Sequence, residues 1–164
     1  MIDGVLAQVG EPCLLVSVKT AKFDTYEGFD PDTSSFTVEA IRALFSSPSE
    51  KEARNLAGRG IDATLRATVP STCTVQADRP GQPDHVVRVP GAKTITVASD
   101  EDGWTVTIDG TAAYAVTVDE AGVLLGALAR SAYNDLVVRE VRPDRHPFTG
   151  VRKQTLYLQE AVGA

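Results

Sequence analysis

Apolar and polar residues alternate through much of this chain with a period of two. The alternation is cleanest from Thr94 to Val118, where Thr94, Thr96, Thr105, Thr107 and Thr117 interleave with Ile95, Val97, Val106, Ile108, Val116 and Val118. Successive side chains of a strand point to opposite faces, so the pattern predicts strands with one buried face. TITVA and WTVTIDGTAAYAVTV read as two strands joined by a DEDG turn, with Asp109-Gly110 as a further turn signal. After Asp119 the period changes. Val123, Leu124, Ala127, Leu128 and Ser131 recur at helical spacing behind Asp119 and Glu120, which predicts a helix over DEAGVLLGALARSAYN. Residues 92–134 therefore read as a compact β-β-α unit, with Trp104 packing its hairpin against its helix.

The flanking segments read mostly as strands. Leu14 to Val18 is a short apolar run and a first strand. In FTVEAIRALFS, Phe36, Val38 and Ala40 fall on one face, and Thr37, Glu39 and Arg42 point the other way. A strand is expected, with a helix from Thr37 as its rival because Glu, Ala, Arg and Leu favour helix. Ser47 and Ser49 ahead of Glu50 and Glu52 mark a helix start, and Gly58 and Gly60 its end, so a surface loop with one or two helical turns is expected. IDATLRATVP alternates again, and TCTVQAD reads as a strand after the Pro70 break. DRPGQPDHVVRVPGA, punctuated by Pro80, Gly81, Pro83, Pro90 and Gly91, reads as a linker or exposed loop. DLVVREVRP and VRKQTLYLQEA are strands around an RHPFTG turn. Short strands must satisfy their backbone groups by pairing. The expected fold class is mainly β: a small antiparallel β-barrel from residues 1–91 and 135–164, with a β-β-α insertion at 92–134.

Composition narrows the chemistry. The 164 residues suit one domain with a small insert, and a formal charge of −6 disfavours nonspecific binding of duplex DNA. A local basic cluster, Arg139, Arg142, Arg145, Arg152 and Lys153, reads as a solvated strand face. Cys13 and Cys73, with only His85 and His146 to help, do not make a metal site and read as buried thiols of a reducing compartment. No signal peptide or membrane-length apolar run is visible. GxSxG, HExxH, P-loop and GxGxxG motifs are absent from the sequence, and His146 lies alone in a turn. The expectation is no enzyme, no cofactor and no metal. Asp100, Glu101 and Asp102 read as a hairpin connection in preference to a cation site. The residues assigned to interaction loops are Phe23, Tyr26, Glu27, Phe29, Asp30, Asp32, Glu50, Arg54, Arg59, Arg145 and Phe148.

Two segments carry a resemblance. FTVEAIRALFSSPSEKEARNLAGRGIDATLRATVPS, after a long acidic loop, and the closing run VVREVRPDRHPFTGVRKQTLYLQEA resemble the head-closure, or stopper, proteins of tailed viruses of bacteria and haloarchaea. Residues 92–134 resemble a β-β-α module of virion structural proteins and depart from the minimal stopper. The resemblance implies a homo-oligomeric ring in the virion neck, assembled in the host cytoplasm. Such a ring seals the DNA-filled head and provides the docking surface for the tail. A portal or adaptor protein lies above it and a tail terminator or tail tube protein below. Genomic DNA passes through without specific binding, and no membrane is involved. Rival readings are an adaptor or tail-completion protein of the same connector, a surface- or carbohydrate-binding module with its patch near Trp104 and Tyr114, and a small hydrolase dependent on His85 or His146.

Overall fold

The computed structural model describes residues 10–20, 23–24, 28–29, 35–75, 83–101, 103–119, 122–146, 148 and 150–160. Its elements are β1 (Glu11–Thr20), β2 (Phe23–Asp24), β3 (Gly28–Phe29), β4 (Ser35–Ser46), α1 (Glu50–Ala57), β5 (Leu65–Pro70), β6 (His85–Arg88), β7 (Ile95–Asp100), β8 (Gly103–Ile108), β9 (Ala112–Asp119), β10 (Gly122–Leu125), a 3-10 turn (Arg130–Ala132), β11 (Asn134–His146) and β12 (Gly150–Glu160). The fold is mainly β. Six antiparallel strands close a barrel in the order β1-β4-β5-β12-β11-β6, and β10-β9-β8-β7 form a second sheet.

The second sheet packs on the outer face of β1, β4 and β6. Cys13, Leu15, Ile41, Ala43, Ala67, Val69, Val86, Leu136, Val138, Leu156 and Leu158 fill the barrel. Leu14, Val16, Val38 and Val87 point outward, where Ile95, Val106, Val116, Val118, Val123 and Leu125 of the second sheet cover them. A strand buried on both faces reads as an unbroken apolar run, which is why Leu14–Val16 shows no alternation. Each fully buried Leu or Val contributes roughly 1.5–3 kcal/mol relative to its exposed state.

Helix α1 lies outside the barrel. Ser49 caps it: its hydroxyl accepts the Glu52 N–H at 3.1 Å, and the Glu52 carboxylate accepts the Ser49 N–H at 3.1 Å. Leu56 is fully buried and anchors the helix. Glu52 also takes an ion pair from Arg66 of β5 at 2.8 Å and a hydrogen bond from the Tyr157 hydroxyl of β12. The segment from 35 to 46 is a strand throughout, so pairing with β1 and β5 overrides its helical propensity.

Four expectations need correction. First, no helix spans 119–134: residues Gly122–Leu125 are strand β10, paired to β9, and one 3-10 turn follows. Gly122 (φ 124°) and Gly126 (φ 49°) adopt left-handed backbone that an α-helix excludes. Second, WTVTIDGTAAYAVTV is two strands, because Asp109 (φ 53°) and Gly110 (φ 75°) form a tight hairpin turn with both central φ values positive. Third, the 78–92 stretch is not all loop: His85–Arg88 is β6, which closes the barrel between β1 and β11. Four residues bounded by prolines are too short to show a period. Fourth, residues 73–75 are not a strand; Cys73 turns inward and its carbonyl accepts from the buried Gln154 side chain. Trp104 accordingly packs not on a helix but, half-buried, on the core between the sheets. Among the described residues, no helix is long and apolar enough to cross a membrane.

Candidate functional site

Three features carry polar chemistry: the joint between the two sheets, a basin beside α1, and the hairpin of β11 and β12.

The joint is built around Asp135, whose side chain is fully buried at the start of β11. Its Oδ1 lies 2.7 Å from Nδ1 of His85 on β6. Its Oδ2 accepts the Val123 N–H of β10 at 2.7 Å and lies 3.6 Å from the Arg130 guanidinium. The Val123 carbonyl accepts from the Tyr133 hydroxyl at 3.2 Å and from Arg130 at 3.4 Å. Arg130 stacks over the Tyr133 ring at 4.8 Å. These bonds occupy both backbone groups of Val123 on the rim of β10 that no described strand pairs with, so side chains close that sheet edge. The same carboxylate ties β6 and β11 of the barrel to β10 of the second sheet. Beside it opens a cavity of about 420 Å³ lined by Arg130, Ser131, Tyr133, Asn134, Asp135 and Glu160. His85 is buried, and its imidazole is held against the Asp135 carboxylate.

The basin is shallow, about 570 Å³, and is lined by Arg54, Asn55, Gly58, Arg59, Glu140 and Arg142. Glu140 bridges Arg59 at 2.6 Å and Arg142 at 3.0 Å. The Arg59 hydrogen bond holds the Glu140 carboxyl below its ordinary range and pushes the Arg59 guanidinium up. Arg142 lies 5.0 Å over the Tyr157 ring. Beneath it, the Tyr157 hydroxyl, followed by the Ser49 N–H, pulls the Glu52 carboxyl down to about 2. Burial, then the Glu52 hydrogen bond, raises the Tyr157 phenol.

The interaction residues assigned from sequence separate in space. Arg54 and Arg59 meet in the basin, and Glu50 pairs with Arg54 at 3.8 Å on the exposed side of α1. Arg145 sits in the β11–β12 hairpin, and Phe148 at its tip is 91% exposed. Phe23 and Phe29 pair across the two short strands β2 and β3. Tyr26, Glu27, Asp30 and Asp32 lie outside the described residues. Trp104 and Tyr114 pack against the inter-sheet core. Asp100 accepts the Gly103 N–H at 3.1 Å and closes the β7–β8 turn.

Sequence reasoning named His85 only for the rival hydrolase reading and missed Asp135, Arg130 and Tyr133; the pairing of β6 with β11 is what brings His85 to Asp135. It also missed Glu52 and Tyr157, although the Ser-x-x-Glu capping signature at 49–52 marked Glu52. Cys13 and Cys73 are buried in the barrel, and burial, then Glu11, pushes the Cys13 thiol up to about 12. Among the described residues, no three His, Cys, Asp or Glu side chains cluster as a metal site. Comparison of the chain with protein-family models, with curated proteins and with solved structures finds no match.

Proposed function

We propose that this chain is a structural subunit of the head-to-tail connector of a tailed virus. It works as a head-closure protein whose ring seals the filled head and receives the tail. One observation carries the reading. The two segments that bear the stopper resemblance lie far apart in sequence, yet β4, β5, β12 and β11 stand side by side as four consecutive staves of the barrel. A resemblance spread over two distant segments is more informative when both belong to one surface. The barrel also supplies what a ring subunit needs: a wall closed on itself, with α1 and the β11–β12 hairpin projecting from it. The polar contacts described above hold the subunit itself together. Asp135 joins the sheets, and Glu52 pins α1 to the barrel.

The test is mass measurement of the purified chain, alone and mixed with the portal of its virus, with negative-stain imaging of the same samples. Rings that stack on the portal support the reading. A chain that never joins a connector, or that turns over a small molecule, overturns it.

A further inference from the structure

The two sheets end in edges that are treated differently. The rim of β10 is closed by Asp135, Tyr133 and Arg130. The outer rim of β7 is not paired to any described strand. The Thr94 carbonyl accepts the Asp109 N–H at 2.9 Å, so Thr94 points its backbone groups at β8. By alternation Thr96 and Ala98 do the same, which turns the N–H and C=O groups of Val97 and Ser99 outward. Residues 94–99 carry no charge and no proline, the usual protections of an edge strand. Asp100 ends β7 and Glu101 follows it in the turn, with Asp102 next in the sequence.

The complementary feature is the β11–β12 hairpin. β6 pairs with β11 only over Asn134–Val137, and β5 with β12 only over Lys153–Leu158. Beyond those limits, apart from the Val138 N–H, which donates to the Asp84 carbonyl at 2.9 Å, the hairpin pairs only with itself among the described residues, out to His146 and Gly150. This arm, residues 142–152, holds Arg142, Arg145 and Arg152 against one acid, Asp144, in a chain whose net charge is −6, and Lys153 follows where pairing with β5 begins. Pro143 removes one donor from the β11 rim, which leaves Gly150–Arg152 of β12 as the pairing side.

We infer that the arm of one copy adds to the β7 edge of the next, with its basic residues over the acidic β7–β8 turn. Donor and acceptor are different surfaces of the same chain, so the contact is head-to-tail and propagates until it closes into a ring. Backbone pairing supplies the attachment, and the charge match sets direction and register. This inference rests on the connector reading and names the contact that builds its ring.

The experiment is sedimentation of the full chain over a concentration series at low and high salt, alone and with the portal. The association of the native chain is expected to weaken with salt. R145E/R152E is expected to weaken it at least tenfold, and E101K/D102K to do the same. Combining all four substitutions restores it. Ser99→Pro, which removes an outward N–H that no described strand pairs with, is expected to block association with an unchanged thermal melt. Rings that ignore both reversals and Ser99→Pro overturn the docking and leave the connector reading standing. A chain that stays monomeric in every mixture removes both.

Discussion

Replacing Asp135 with leucine is the sharpest perturbation of this fold. The side chains have similar shape, but leucine offers no acceptor. Three groups lose a contact at once: the buried His85 imidazole, the Val123 N–H and the Arg130 guanidinium, which keeps the Val123 carbonyl and the Tyr133 ring. A buried donor left without a partner costs about 1–3 kcal/mol. Removing one member of a buried ionic cluster costs about 3–5 kcal/mol. The expected loss is therefore about 3–5 kcal/mol, a large share of the roughly 5–15 kcal/mol that holds a domain together. Urea unfolding reads the total. Hydrogen exchange at the Val123 amide reads the local part, because that N–H donates to the Asp135 carboxylate; it is expected to exchange about a hundredfold faster, about 2.7 kcal/mol of lost protection. Asp135→Asn keeps one acceptor and is expected to lose less. Glu50→Gln, which breaks an exposed pair with Arg54, serves as the control and is expected to cost under about 1 kcal/mol. A loss below about 1 kcal/mol for Asp135→Leu, with Val123 still protected, would refute the assignment of Asp135 as the tie between the sheets.

Other outcomes follow from the same contacts. Leu56→Ala removes the buried anchor of α1 and is expected to lower stability by about 2–5 kcal/mol in a thermal or urea melt, whereas Ser49→Ala, which removes the cap, should cost about 1 kcal/mol. Glu52 and Glu140 both have folded-state carboxyls below their ordinary range, Glu52 at about 2. The unfolded chain therefore binds more protons in acid, and stability should fall as pH drops from the ordinary carboxylate range toward 2. Glu52→Gln should flatten that part of the profile. Cys13 should resist alkylation at pH 8 in the folded protein and react on unfolding, since burial holds its thiol near 12; rapid native-state labelling would contradict its place inside the barrel.

Much of the fold was legible in the sequence. Alternation at Thr94–Val118 marked the strands of the second sheet, and the Ser49–Glu52 signature marked the start of α1; that the Leu156 and Leu158 face of β12 is the inward one came only from the barrel. The failures share a cause. Val123 to Leu128 looked helical because the strand there is only four residues long, too short to show a period of two, and only the pairing of β10 with β9 makes Gly122–Leu125 a strand. Val86 and Val87 were hidden among prolines for the same reason; β6 exists because β1 and β11 leave one stave open between them.

Local chemistry along the chain settled where strands and caps begin and which faces are apolar, since side-chain alternation and helix capping act within a few residues. Tertiary structure alone decided which strands close the barrel and which polar groups meet. His85, Val123 and Asp135 become one cluster only when β6, β10 and β11 converge, and a buried carboxylate has no signature in sequence because its partners come from distant strands.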